Sequence, residues 1–351
     1  MKRLPTRAAI ALCMHLLVAS APAEDAVKVF VLAGQSNMEG KVQNKLLEHQ
    51  ARDEKTRETF AHLRDGDSWR VREDVWIKFF ERHGGLTIGY GSPDRTGLEL
   101  EFGTVMGDKY AAPVLLIKVA WGGRSLFKDF RPPSAGLPPD PMLDGELASA
   151  QKRVRDQNEK TGKTDPLPTM DEIKAAYGSS YRIMIQEVED TIANLGSLFP
   201  ALEGKVPELA GFVWFQGWND QYGGAEAEYA SNLQHLIRDL RNDLDSPALP
   251  VVIGVMGQNG STAAEGPMLV IQEAQLAMQS IPEFKGNVRA VPTDLLVDKA
   301  AESLFPTWKE NVETWEKTGS DYPYHYLGSA LWHLRIGHAM AEAMLELSGK
   351  N

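Results

Sequence analysis

The residues best suited to chemistry stand at three sharp turns and in one late loop. The first turn is Ala33-Gly34-Gln35-Ser36-Asn37-Met38. It follows residues 27–32, which are β-branched or apolar apart from one lysine, a pattern that suits a strand buried on both faces of a parallel sheet. A small residue and a glycine let the backbone turn sharply. Ligands of open α/β sheets bind at such carboxyl ends of strands. Ser36 is therefore a candidate nucleophile, the alternative being that it only caps the helix behind it. Residues 114–119 form a second apolar run, ending in Ala120-Trp121-Gly122-Gly123-Arg124-Ser125. A third, 209–215, ends in Gln216-Gly217-Trp218-Asn219-Asp220, where Asn219 and Asp220 have helix capping as their alternative role. The late loop, Asp321-Tyr322-Pro323-Tyr324-His325, carries a histidine beside a carboxylate. A serine hydroxyl is a poor nucleophile until a base takes its proton, and histidine titrates near neutrality.

The elements that must position these groups alternate. Strands are predicted over 27–32, 114–119, 209–215, 250–256 and 287–291. Helices are predicted over 98–110, 179–198, 225–244, 268–280 and 329–347. Such alternation implies an α/β fold: a three-layer α/β/α sandwich around a central parallel sheet of about five strands. The glycine-rich stretch 84–97 is either plain surface irregularity or a loop bordering the site. No GK[ST] follows it, which argues against a phosphate cradle. Residues 128–169, rich in proline, glycine and charge, read as a long loop. The insertion as a whole spans about 128–178 and interrupts the α/β alternation without ending the domain. His235 reads as an ordinary surface or interface residue. His333 and His338 lie five apart on the last helix, poorly placed to share a metal, and read as packing or surface positions. Asp294 ends a strand and reads as a cap or turn residue.

Composition narrows the classes. The chain has 351 residues, a net charge of −11 and a single cysteine. An acidic chain has no basic surplus to neutralise phosphates, so nucleic acid is not an expected partner. Lys2, Arg3 and Arg7 precede a short apolar run, and Ala21-Pro22-Ala23 matches a cleavage pattern. Residues 1–23 therefore read as a signal peptide, implying a secreted or periplasmic protein whose single domain spans 24–351. Its removal shifts the net charge from −11 to −14, because it carries three basic residues and no acidic one. It also removes Cys13, leaving no thiol and no Cys-ligated metal. No later stretch is long and apolar enough to span a membrane.

The string AGQSNMEG at 33–40, the turn at Gly122-Gly123, the GWND of 217–220 and the late His325 together resemble the SGNH-type hydrolases. The resemblance is to the branch holding sialate O-acetylesterases and related carbohydrate acetylesterases, with an SGNH/flavodoxin-like fold. It implies a serine esterase that hydrolyses O-acetyl esters on carbohydrate, sialic acid or plant polysaccharide, and needs no metal or organic cofactor. It implies Ser36 as nucleophile, His325 as base and Asp321 as the supporting acid. Gly123, Asn219 and Gln216 would line the oxyanion hole. Gln35, Trp121 and Trp218 would contact the substrate, while Trp214 reads as core. The chain departs from the branch at Trp218, where many members carry Glu. It departs again at Tyr322, which takes the acid position of the usual Asp-x-x-His spacing, so Asp294 stays as a reserve acid. Two other functions fit the same residues: an SGNH-type esterase or lipase on non-sugar esters, or a carbohydrate-binding protein with a decayed triad. A flavodoxin-like nucleotide-binding module fits less well without a phosphate loop.

Overall fold

The computed structural model describes residues 25–349. The expected signal peptide 1–23, with Cys13 inside it, lies outside the described residues. The central sheet has seven strands: β1 (Ala26–Gly34), β2 (Val75–Phe79), β3 (Arg82–Gly85), β4 (Val114–Ala120), β5 (Val206–Phe215), β6 (Val251–Val255) and β7 (Val288–Pro292). Their order is β7-β6-β5-β1-β4-β2-β3. Every pairing is parallel except the β2–β3 hairpin at one edge. The main helices are α1 (Ser36–Glu39), α2 (Glu99–Lys109), α3 (Asp140–Thr161), α4 (Met170–Ala176), α5 (Ser179–Ala193), α6 (Glu226–Asp243), α7 (Gly266–Ala277) and α8 (Ala330–Leu347).

The period-2 alternation of the strands divides the core into two layers. Val27, Val29, Val31 and Ala33 of β1 join Leu115, Ile117, Val119, Phe212 and Trp214 on one face, where α5, α6 and α7 pack. Phe30 and Leu32 join Leu116, Val213, Phe215 and Val252 on the other, covered by α2 and α8. Both faces of the sheet are thus buried, which explains why the strands read as continuous apolar runs. A charged intruder in the sheet is Lys118, fully buried on β4. Its Nζ donates to Glu99 Oε2 (2.7 Å) and Tyr90 O (2.8 Å), and burial holds its pKa below the ordinary lysine value.

All five expected strands are present, and two more join them. β2 (VWIKF) is short, follows a charged stretch and alternates buried with half-buried positions. β3 (RHGG) has no strand propensity and exists only by pairing with β2. The expected loop over 128–169 is corrected by the 22-residue α3. That helix buries only Leu143 and Ala150, so it carries no apolar stripe for periodicity to detect. Together with Ile173 and Tyr177 these residues form a small satellite core. Thr169 and Glu172 make a reciprocal capping box at the start of α4, a signal the pattern T-x-x-E carries openly.

His333 and His338 divide as the packing and surface alternatives suggest. His338 is exposed, with Nδ1 2.9 Å from Glu101 Oε1, and His333 is buried on α8. Burial pushes the His333 imidazole down to about 4, although its Nδ1 faces Ser329 O at 3.0 Å. Between pH 6.5 and about 4 the unfolded chain then binds a proton at this site that the native chain excludes, so stability falls as pH falls through that window. His333→Met removes the group. The variant should gain roughly 1–3 kcal/mol relative to the wild type on acidification across that window, read from denaturant midpoints. A difference between the two proteins that does not change with pH would show that His333 is not the titrating group.

Candidate active site

Strand register brings the three turns together. Gly34 pairs with Ala120 of β4 on one side and with Phe215 of β5 on the other. The chain therefore leaves all three strands at one level, and their turns emerge side by side. Gly34 has φ +156°, and a Cβ there would stand 2.1 Å from Phe215 O. No other residue lets β1 lie so close to β5 before the turn.

Ser36 is the first residue of α1, with 6% of its surface exposed. The cap position belongs to Gln35, and no side-chain cap bond forms. The capping alternative for Ser36 therefore does not describe this turn. A Cβ at Gly122 would lie 3.9 Å from Ser36 Cβ, which places the second turn against the first. At Gly123, φ is +75° and a Cβ would lie 4.0 Å from Asn219 Nδ2. The Asn219 amide donates to Gly123 O at 3.0 Å, so the second turn also meets the third. Asn219 and Asp220 do not cap α6, whose cap position is Ala225.

Behind these groups lies a buried polar network. Gln35 donates through Nε2 to Asn219 Oδ1 (3.1 Å). Its Oε1 accepts from Gln216 Nε2 and from Gly217 N–H, both at 3.2 Å. Gln216 also donates to Arg124 O (3.1 Å) and to Asp220 Oδ2 (2.6 Å). Its carboxamide is thus engaged within the protein, and Gln35, 2% exposed, is likewise turned inward. Asp220, for which capping was the alternative, accepts the N–H groups of Leu126 (2.8 Å) and Phe127 (2.7 Å). Burial raises its pKa to about 6, against those three donors, which lower it.

Asp321 and His325 stand on one loop. His325 Nδ1 lies 3.0 Å from Asp321 Oδ2, although the ring is not aligned for a straight hydrogen bond. Asp321 Oδ2 also accepts from Arg95 Nη1 at 2.9 Å, and Oδ1 accepts from Tyr322 N–H at 2.8 Å. Burial alone would raise the Asp321 pKa, but His325, the Tyr322 N–H and Arg95 outweigh it and hold the carboxyl below its ordinary value. Arg95 comes from the glycine-rich stretch 84–97, which therefore borders the site. Asn37 Nδ2 donates to Tyr324 O at 3.0 Å and ties the residue after Ser36 to the residue before His325.

The loop is held in an unusual backbone path. Tyr326 and Leu327 have φ of 52° and 60°, in the left-handed region that non-glycine residues rarely occupy. Such residues persist only where surroundings over-determine them. Here the fully buried Tyr326 hydroxyl accepts from Gly257 N–H (3.0 Å) and meets Thr293 Oγ1 (2.7 Å). The extra residue of the Asp-x-x-x-His spacing lies just before this path, in the turn that His325 N–H closes on Tyr322 O at 2.9 Å. Asp294 heads a separate short 3₁₀ turn, Asp294–Leu296, while Asp321 is the carboxylate beside His325. Trp214 is fully buried, as expected of core. Trp121 is half-buried, its ring 5.0 Å from Phe80 and 5.9 Å from Phe130. Trp218 is half-buried, 6.0 Å from the ring of Tyr324. The parts not read from the sequence, Asn37, Arg95, Asp220 and Tyr326, all act through long-range contacts that no local motif announces.

Asp220→Asn tests the network. An amide cannot accept at both ends, so one NH₂ would confront the buried Leu126 or Phe127 N–H. The variant should lose roughly 1–3 kcal/mol in denaturant unfolding. Wild-type stability would mean that the carboxylate does not hold the second turn.

Comparison with known proteins places the chain. Its sequence matches, over residues 26–164 and 168–305, the family described as carbohydrate esterase, sialic acid-specific acetylesterase. The match includes all three turns and stops short of Asp321 and His325. A probable carbohydrate esterase of Arabidopsis thaliana is 33% identical over 73 residues, covering 20% of this chain and 26% of that protein. The match to this curated relative thus spans about a quarter of its length. The solved structure of that Arabidopsis protein is similar over 93% of this chain and all of its own, at 16% identity and a TM-score of 0.49. A structure described as a novel carbohydrate acetylesterase from Xanthomonas citri is similar over 92% of this chain and 57% of its own, at 14% identity and a TM-score of 0.47. On the sequence match across both halves of the sheet, this chain belongs to the sialic acid-specific acetylesterase family of carbohydrate esterases.

Proposed function

We propose that the chain is an exported serine esterase that removes O-acetyl groups from carbohydrate through Ser36, His325 and Asp321. The observation that carries this reading is the position of Asp321 Oδ2, 3.0 Å from His325 Nδ1, on a loop bonded through Tyr324 to Asn37 beside Ser36. With Nδ1 facing a carboxylate, the imidazole is set to accept the Ser36 proton at Nε2. Ser36 Oγ then attacks the acetyl carbonyl carbon. The Gly123 N–H and the free hydrogen of the Asn219 amide hold the oxyanion. Collapse expels the sugar hydroxyl, which takes the proton from His325, and leaves acetyl-Ser36. Water, activated by the same histidine, releases acetate. Gln216 supports Gln35 and Asp220 and does not enter the oxyanion hole, since its amide is already bonded.

Ser36→Ala should abolish hydrolysis of an aryl acetate with the fold unchanged, and persistent turnover would remove Ser36 from the mechanism. Asn219→Ala should lower kcat by roughly 10²–10³ with a smaller effect on KM. Asp321→Asn should lower kcat by as much as ~10⁴, as for the acid of a serine-protease triad. An active Asn variant would instead mean a Ser–His dyad. Acetylated sugars should outrank longer acyl esters in kcat/KM; the reverse ranking would favour an esterase or lipase acting on non-sugar substrates. Export rests on residues 1–23. Sequencing the amino terminus of protein recovered outside the cytoplasm should begin near Glu24, and an intact Met1 would overturn it.

A further inference from the structure

Beside the catalytic loop runs a series of aromatic rings that the reaction itself does not use. Tyr324 stands 4.5 Å from His325, edge to face. Tyr322 stacks on Tyr324 at 5.6 Å with an interplanar angle of 13°. Trp308 follows at 6.4 Å from Tyr322, and Trp315 at 6.4 Å from Trp308. Trp218 adjoins the inner end, 6.0 Å from Tyr324. The inner rings are not core: Tyr322 is 49% exposed and Tyr324 38%. The outer end is a hollow of about 200 Å³ whose wall includes Trp308, Trp315, Tyr322 and Asp321.

Large aromatic faces left half in water are energetically unfavourable unless something covers them. A ring with an apolar face and a polar edge suits a ligand of the same character, such as a pyranose. Charge narrows the class. Lys45, the one cation in the wall, is 3.7 Å from Glu316, and Asp321 is already held by Arg95 and His325. Lys309 lies over one face of Trp308 at 5.8 Å; with Arg95 counted, three cations stand against two carboxylates, and Lys45 and Arg95 are each paired. The hollow thus carries a single excess cation, and it offers no cluster of cations to an anionic sugar.

We infer that Tyr324, Tyr322 and Trp308 form subsites for sugars flanking the acetylated one, and that the substrate is an uncharged oligo- or polysaccharide rather than a single acidic sugar. This rests on the esterase reading of Ser36 and His325, and adds the direction in which the glycan chain runs: from His325 past Asp321 toward Trp308.

The test uses the purified protein and neutral probes. Acetylated xylo- and manno-oligosaccharides of increasing length should show kcat/KM rising over the acetylated monosaccharide. Trp308→Ala and Tyr322→Leu should each lower the oligomer-to-monosaccharide ratio about tenfold, and Tyr322→Phe should restore it. Calorimetry with unacetylated oligomers on the Ser36→Ala protein reads the same subsites without chemistry. Aryl acetate turnover with a flat length profile would overturn the subsites and leave the esterase standing. Absence of aryl acetate turnover, with oligomer binding lost in Trp308→Ala, would overturn the esterase reading and keep the subsites. Tighter binding of oligosialic acid than of any neutral oligomer would overturn the assignment to an uncharged chain.

Discussion

The site depends on the buried hydrogen-bond network centred on Gln216 and Asp220. Three strands deliver three turns to one edge of the sheet, but backbone register alone fixes them only to the last paired residue. Beyond Gly34, Ala120 and Phe215 the chain is free to diverge. Gln35 reaches from the first turn to the third, Gln216 reaches back to the first and across to Arg124 O, and Asp220 holds Leu126 and Phe127 behind the second. Each bond has at least one buried partner among Gln35, Gln216 and Asp220, where leaving a polar group unpaired is costly. The network is therefore self-consistent only when all three turns are in place. That is the condition under which Ser36, Gly123 and Asn219 face one another.

The loop carrying Asp321 and His325 is held by a different device. It comes from the far end of the chain, and its position follows from three anchors in separate elements. Asn37 binds it beside Ser36, Arg95 grips Asp321, and the buried Tyr326 hydroxyl locks the left-handed path. Holding non-glycine residues at positive φ costs about 1–3 kcal/mol each. The Tyr326 ring, packed against Phe215 and Trp332, supplies burial to offset it. The outcome is an imidazole whose Nδ1 faces a carboxylate that His325 itself, the Tyr322 N–H and the Arg95 guanidinium together hold below its ordinary pKa.

The aromatic face and the catalytic loop are structurally one piece. Tyr322 and Tyr324 flank Pro323 in the segment that also carries Asp321 and His325, so the residues that would bind sugar and those that would move the proton share one backbone. On the proposed reading, a substrate stacked on Tyr324 would be held beside the imidazole by the same segment that orients it. Positioning of this kind contributes to rate by fixing geometry before the reaction begins.

The sequence by itself determined the layers. Apolar runs at 27–32, 114–119 and 209–215 carry their own burial pattern. The glycine after each run marks a turn, so the α/β architecture and the places of Ser36, Gly123 and Asn219 were legible locally. Tertiary structure decided what local pattern does not encode. RHGG became β3 only because β2 offered a partner, and α3 escaped notice because it buries just Leu143 and Ala150. Gln216 donates inward to Gln35, Arg124 O and Asp220, contacts from three places in the fold that its own motif does not announce. Asp321, displaced by one residue from the usual spacing, stands beside His325 across a turn in which His325 N–H donates to Tyr322 O at 2.9 Å, in a loop closed by Asp321 N–H donating to Leu327 O at 3.0 Å. Residue type and strand ends are properties of short stretches, whereas the direction of a side chain in a folded loop depends on partners that only the complete fold brings near.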